Sequence, residues 1–207
     1  MIQFLSAGLL LGLSAGFSPG PLLTLVISQT LQHGIREGIK VALAPLITDL
    51  PIIGLSLLVL TRLTNFRTLL GVISILGGLF VLHLAYGSLR IKKLDQPVQD
   101  TAPQSLSKGA LVNALSPHPY IFWLTVGSPI ILKARGDGLL PAIGFIAGFL
   151  GSLVGAKIIL AVLSGKSRHL LSDRLYRIIM QVLGVLLAAF AGLLLKDGLE
   201  LMGLLAF

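Results

Sequence analysis

Long apolar runs constrain the fold of this chain more than any other feature. Crossing the hydrocarbon core of a bilayer takes about 20 residues of helix, and the chain carries runs of about that length between short charged stretches. Of its 207 residues, 55% are hydrophobic and only 12% are charged, which is unlike a soluble domain. The sequence therefore predicts an all-α integral membrane protein with six transmembrane helices. They are expected within residues 1–32, 41–61, 68–89, 109–132, 138–164 and 178–195.

The positive charges predict how these helices are oriented. Ten of the sixteen Lys and Arg residues lie in the first, third and fifth polar segments, and five lie in the segments on the other side. The positive-inside rule then places the first set in the cytoplasm and both termini outside it. We therefore expect a multi-pass protein of the cytoplasmic (inner) membrane. The net charge of +8 is explained by basic loops that contact anionic lipids, and no nucleic-acid partner is expected.

The polar segments also divide the chain. Residues 1–207 form a single membrane domain, in which 1–89 and 109–207 are two three-helix halves and 90–108 is a cytoplasmic linker. Because each half has an odd number of spans, the second half starts on the opposite side of the membrane. Two such halves form an inverted-topology repeat. The opening run is expected to be a span, since no basic residue precedes it; cleavage as a signal peptide near Ala15 is the alternative.

Two proline pairs interrupt corresponding runs of the two halves. The segments Ser18-Pro19-Gly20-Pro21 and Ser116-Pro117-His118-Pro119 both read Ser-Pro-x-Pro and lie 98 residues apart. Proline lacks an N–H and clashes with the preceding turn, so each segment predicts a broken helix. Paired breaks in two halves are the best sequence indication of a transporter's binding site. The alternative is that the prolines only kink packed helices.

The breaks would expose backbone groups inside the protein. We expect helix N-termini after Pro21 and after Pro119, where free amides suit a carboxylate. Carbonyls around Phe17 and Leu115 would suit an ammonium group or a cation. Together these groups predict a site for a zwitterion such as an amino acid.

Asp49 is the one acidic residue within the second run. It lies ten residues past Ile39, about 15 Å deep at 1.5 Å per residue. A carboxylate at this depth is costly and usually functional, so we assign Asp49 to proton or substrate-ammonium binding; the alternative is a structural partner for a neighbouring helix. Helical spacing predicts that it shares an inward face with four other residues, which are Pro45, Thr48, Ile52 and Ser56.

Three further polar residues belong to the predicted site. Lys157 in the fifth run could pair with Asp49 or extend its ammonium group to the membrane surface. His118 could titrate near neutral pH and couple transport to protons, or fill the break as a polar group. Asn113 could cap exposed backbone or contact the substrate. The candidate substrate- and ion-binding residues are Ser18, Pro19, Gly20, Pro21, Asp49, Asn113, Ser116, Pro117, His118, Pro119 and Lys157.

Several of these residues resemble a known family. The first half contains Gly16-Phe17-Ser18-Pro19-Gly20-Pro21, then Gly34-x3-Gly38 and Asp49, and the second contains Gly109, Asn113, Pro117 and Phe122-Trp123. This pattern is similar to the lysine exporter (LysE/RhtB) family of amino-acid exporters. The resemblance implies export of small amino acids or related metabolites, driven by a proton or ion gradient. Ser116-Pro117-His118 stands where the family usually has Asn-Pro-Lys, so the substrate is not carried over.

The leading hypothesis is a secondary transporter that exports amino-acid-like solutes by proton antiport or by coupling to another ion, and not an enzyme. A metal-ion exporter is the first alternative, although the chain has no cysteine and its four histidines are scattered. A membrane-embedded enzyme is the second, although His-Glu-x-x-His and Gly-x-Ser-x-Gly patterns are missing. No cofactor or metal is expected. Small carriers of this size often form homodimers, but no sequence feature indicates one.

Overall fold

The computed structural model describes residues 1–59, 66–89, 103–167 and 172–204, and these parts of the chain are almost entirely helical. A π-helical turn, Trp123–Gly127, lies between α7 and α8. The α-helices are α1 (Ile2–Phe17), α2 (Pro21–His33), α3 (Ile35–Ala42), α4 (Ala44–Val59), α5 (Phe66–Leu89), α6 (Ser105–Ala114), α7 (Pro117–Phe122), α8 (Ser128–Gly136), α9 (Leu139–Ser167) and α10 (Asp173–Leu201).

Three helical stretches in the described parts are long and apolar enough to cross a membrane. They are Ile35–Leu58, which combines α3 and most of α4, then Leu139–Ser167, which is α9, and Arg174–Leu201 of α10. A fourth candidate span results if α1 and α2, which meet at an angle of 63°, are counted as one bent span. The chain thus folds as a helical protein with three or four candidate spans. The six-span inverted repeat stays a prediction.

The first predicted break is confirmed. α1 ends at Phe17, Ser18 is extended with φ −60° and ψ 128°, and α2 begins at Pro21. Proline is well suited to the first helical position, because its fixed φ is already helical and its missing N–H would have no partner there.

The second break is also present, but its helix N-terminus lies elsewhere than predicted. α6 ends at Ala114, Ser116 is extended with φ −95° and ψ 136°, and α7 begins at Pro117 instead of after Pro119. The first four amides of a helix have no intrahelical acceptor. Prolines at the first and third positions of α7 therefore remove no hydrogen bond, and the helix begins two residues earlier.

Two predicted polar segments are partly helical. A polar loop is expected between the first two predicted spans, at Arg36, Glu37 and Lys40, but these residues belong to α3. The turn instead lies at Gly34, whose φ of 97° favours glycine. In the predicted linker, residues 90–102 lie outside the described parts, and α6 already begins at Ser105.

The longest helices pack in pairs that join the two halves of the chain: α1 lies along α9, and α5 lies along α10. α1 and α9 approach closely because glycines of α1 face α9. A Cβ atom on Gly16 would lie 2.6 Å from the Cβ of Ala156. α4 of the first half packs against α6, α7 and the π-helical turn, which all belong to the second half.

Candidate functional site

A cavity of about 440 Å³ lies between the two breaks. Its wall is formed by the end of α1, the start of α2, the first two turns of α4, the middle of α9, several residues between Val112 and Trp123, and the C-terminal part of α10. Among the sequence-predicted site residues, those that line it are Ser18, Pro19, Gly20, Pro21, Asp49, Asn113, Ser116, His118, Pro119 and Lys157. Pro117 does not line the cavity; it is buried as the first residue of α7.

Asp49 is bound by neutral donors from the second half of the chain. Its Oδ1 accepts a hydrogen bond from Asn113 Nδ2 at 2.7 Å, and its Oδ2 accepts one from Trp123 Nε1 at 3.3 Å. Asn113 Nδ2 also donates to Thr48 Oγ1 at 2.7 Å. Asp49 is only 3% exposed. The carboxylate is thus fixed in the cavity wall by hydrogen bonds that bring no positive charge.

The inward face predicted around Asp49 is confirmed. Pro45, Ile52 and Ser56 are buried, and Thr48 is half-buried. Leu50 on the other side of α4 is 56% exposed, as expected for a residue that faces lipid. The 3.6-residue period of the helix therefore turns this face of α4 inward, and Pro45 and Asp49 on it line the cavity.

Lys157 enters the cavity wall from α9. Its Nζ donates to the backbone oxygen of Gly16 at 3.1 Å, and the residue is 4% exposed. Gly16 lies in the last turn of α1, whose carbonyls have no partner within the helix because the helix stops at Phe17. The broken helix thus provides the acceptor for this buried ammonium group.

This contact differs from both arrangements predicted for Lys157. Asp49 and Lys157 are both described, and no nitrogen–oxygen contact within 4 Å joins them. The ammonium group is also not extended to the surface, since Lys157 is buried and bonded inside the protein. Because the break leaves the Gly16 carbonyl without a helical partner, it can accept from Lys157 in place of Asp49 or water at the membrane surface.

The second break satisfies its polar groups locally. Tyr120 Oη donates to the oxygen of Ala114 at 2.8 Å, and Ser116 Oγ lies 3.1 Å from His118 Nδ1. His118 is exposed at the cavity mouth. Proton coupling through this imidazole stays a prediction.

Aromatic side chains form one wall and were not predicted as site residues. Phe122 stacks on Phe149 with ring centroids 4.6 Å apart, and Trp123 meets Phe149 edge-on at 5.0 Å. A sequence signal was available, since Phe122 and Trp123 follow the second proline pair within six residues. Asp197, near the end of α10, also lines the cavity and had no distinguishing pattern.

The cavity extends from the breaks towards one end of the bundle. We name the two ends after Asp197, which lines the cavity, and Gly34, at the α2–α3 turn. At the Gly34 end, Leu31 shares a buried cluster with Tyr176 and Met180 of early α10. Between this cluster and the cavity lies a second apolar cluster that includes Leu25, Val26, Val41, Ala42 and Ala161. Among the described residues, packed apolar side chains therefore close the Gly34 end.

Comparison with known proteins identifies the family. The model of the LysE type translocators matches residues 13–198, which is most of the chain. The chain belongs to the LysE family of translocators. Among curated proteins, the uncharacterized membrane protein YahN of Escherichia coli (strain K12) is 24% identical over 189 residues, which cover 88% of this chain and 84% of YahN. No solved structure matches the chain.

Membership in the LysE family explains the combination of apolar helices and an internal polar cavity. Translocators move small molecules across membranes, so the chain is a multi-pass membrane transporter.

Proposed function

We propose that this LysE-family protein is a secondary transporter that exports amino acids or related small polar metabolites, coupled to protons or another ion. The observation that carries the proposal is Asp49. It is a buried carboxylate in the wall of a cavity that lies between two broken helices.

The cavity suits a solute of amino-acid size. Small-molecule sites typically enclose about 300–1,000 Å³ and combine an apolar wall with a few polar groups. Here the volume is about 440 Å³, the wall includes Phe122 and Phe149, and the polar groups include Asp49 and Lys157. An apolar side chain could contact the rings while charged groups bind near the breaks.

Asp49 is the proposed site of the solute's ammonium group or of a coupled proton. A buried carboxylate with neutral donors keeps its charge uncompensated, which is costly unless a cation or a proton binds. Asn113 and Trp123 position the carboxylate, and each occupies only part of its accepting capacity. An arriving cation can therefore bind Asp49 without displacing these donors.

Alternating access is supported by the packing between the halves. α1 of the first half packs on α9 of the second, α4 packs on the second break, and α5 packs on α10. Each contact joins the two proposed repeats, as expected for an inverted pair that exposes one central site to either side. With the cavity at the Asp197 end and the positive-inside orientation, the proposed open side is outside the cytoplasm.

Purified protein in liposomes tests the proposal. Counterflow of each of the 20 standard L-amino acids would be measured with wild type, Asp49→Asn and Asp137→Asn. Asp137 is exposed at the α8–α9 turn and away from the cavity, so it is the matched acid-to-amide control. We expect saturable counterflow of at least one amino acid, chemically unchanged, that is lost in Asp49→Asn and kept in Asp137→Asn. Counterflow that is equal in all three proteins would contradict the role of Asp49.

The same assay separates the alternatives. A chemical change in the solute would support a membrane-embedded enzyme. Flux of divalent metal ions alone would support a metal exporter, although no group of three His, Cys, Asp or Glu side chains gathers within the part of the chain that the structure describes.

A further inference from the structure

Lys157 is a buried cation with no carboxylate in direct contact among the described residues. It is 4% exposed, lines the cavity, and donates one hydrogen bond, to the oxygen of Gly16. Within residues 1–59, 66–89, 103–167 and 172–204, no carboxylate oxygen lies within 4 Å of its Nζ.

This arrangement leaves binding capacity for an anion. An ammonium group has three donors, and the described residues provide an acceptor for one of them. A carbonyl oxygen carries a partial charge and cannot neutralise the cation. Buried charges in proteins are normally paired and hydrogen-bonded, because an isolated one is expensive to desolvate. The two remaining donors can therefore bind a negatively charged group that enters the cavity.

Lys157 and Asp49 provide opposite charges on the wall of one cavity. Each is fixed by its own partners: Lys157 by Gly16, and Asp49 by Asn113 and Trp123. Because no ion pair joins them, neither charge neutralises the other by direct contact. A molecule that carries both a cationic and an anionic group is the natural complement of such a wall.

His118 is the other basic side chain of the cavity wall, and it differs from Lys157 in two respects. It is exposed, and its Nδ1 lies 3.1 Å from Ser116 Oγ. An exposed imidazole can be solvated and does not require an anion. The buried ammonium group is therefore the stronger anion-binding group of the two.

We propose that Lys157 binds the carboxylate of the transported solute and thereby selects amino acids over amines and neutral analogues. This inference rests on the proposed function and adds the residue that sets the solute class. In this structure, the Gly16 carbonyl holds the ammonium group in the cavity wall. When a solute enters, the two free donors of Lys157 bind its carboxylate while Asp49 receives its ammonium group.

Binding can be followed through the protein's own fluorescence. The chain contains a single tryptophan, and Trp123 donates to Asp49 in the cavity wall. The probes are the 20 standard L-amino acids and the corresponding L-amino-acid amides, which keep the ammonium group and lose the carboxylate. Each is titrated against detergent-purified wild type, with isothermal titration calorimetry as the second readout.

For an amino acid that binds, wild type should favour the acid over its amide by roughly tenfold to a hundredfold, as expected for loss of a charged hydrogen-bonded contact. Lys157→Gln should lose this preference and bind both probes about as weakly as wild type binds the amide. Lys157→Met removes the charge with a side chain of similar length and should behave alike. Lys133→Gln, at an exposed position of α8, is the matched control and should keep the wild-type preference.

The outcomes separate this inference from the proposed function. If wild type binds amino acids and amides equally, or if a folded Lys157 variant keeps the preference for the acid, Lys157 is not the carboxylate site although the transporter proposal stands. If wild type binds none of the 20 amino acids, export of amino acids is excluded from the proposed function and the inference fails with it. Equal binding of acid and amide by wild type would overturn the inference even if both Lys157 variants misfold.

Discussion

Asn113 Nδ2 donates to Asp49 Oδ1 across 2.7 Å. This hydrogen bond joins α6, which precedes the second break, to α4 of the first half. The same amide nitrogen donates to Thr48 Oγ1 at the same distance. One side chain therefore positions the buried carboxylate and connects the two proposed repeats at the level of the cavity.

Asn113→Ala should lower both stability and transport. It leaves the Asp49 carboxylate without its shorter hydrogen bond in a buried position, and an unsatisfied buried group costs about 1–3 kcal/mol, more when it is charged. The unfolding temperature in detergent and the counterflow rate in liposomes measure the two effects. Asn113→Asp should be worse for transport, because it places a second carboxylate beside Asp49. Wild-type counterflow in Asn113→Ala would show that this hydrogen bond does not serve binding.

Trp123→Phe separates the hydrogen bond of Trp123 from its packing. The variant keeps an aromatic ring against Phe145 and Phe149 but loses the Nε1 donor to Asp49. We expect a several-fold weaker solute affinity with a modest change in unfolding temperature. Trp123→Ala should lose roughly 3–5 kcal/mol of stability, since it opens a cavity at a fully buried aromatic residue. Calorimetric titration and thermal unfolding give the two readouts. Equal solute affinity in Trp123→Phe and wild type would exclude a positioning role for the indole.

Gly16→Ala should disturb the contact between α1 and α9. The added Cβ would lie 2.6 Å from the Cβ of Ala156 and 2.9 Å from the oxygen of Leu153, so the helices must separate and the acceptor of Lys157 must move. Gly155→Ala is the control within α9, because its Cβ would meet no atom within 4 Å and helix propensity favours alanine by up to about 1 kcal/mol. Thermal unfolding should therefore show a clear loss for Gly16→Ala and no loss for Gly155→Ala. Equal unfolding temperatures would contradict the close packing.

The Gly34 end should have to open during transport. Here Ser105 Oγ donates to Gln29 Oε1 at 3.0 Å, and both residues are buried. The chain has no cysteine of its own, so Gln29→Cys with Ser105→Cys can be joined selectively by a short bifunctional methanethiosulfonate reagent. Counterflow should stop after cross-linking and return after reduction, whereas each single variant should keep its counterflow under the same treatment. Full counterflow in the cross-linked protein would show that this end stays closed throughout the cycle.

The sequence was most informative where one local rule decides the structure. Proline lacks an N–H, and both proline pairs do interrupt helices. Helical periodicity correctly placed Asp49 and Ile52 on the inward face of α4. The predicted N-terminus of the second broken helix was wrong by two residues. Prolines in the first turn of a helix cost no backbone hydrogen bond, so the sequence alone does not decide at which proline the helix begins.

Contacts between distant segments could not be predicted. The partner of Lys157 is a backbone oxygen 141 positions earlier, and a backbone acceptor has no sequence signature. The contact of Trp123 with Asp49 depends on how α4 packs against the π-helical turn. The site therefore combines residues predicted from their chemistry with partners that only the packing of the two halves defines.

The most direct test of the account is the affinity of an amino acid for the cavity with and without the Asp49 charge. An amino acid active in wild-type counterflow would be titrated against wild type, Asp49→Asn and Asp137→Asn, with Trp123 fluorescence as the signal. Asn at position 49 can still accept from the indole, so the reporter is retained. The account predicts saturable binding in wild type and Asp137→Asn and at least roughly tenfold weaker binding in Asp49→Asn. Unchanged affinity in Asp49→Asn would contradict it.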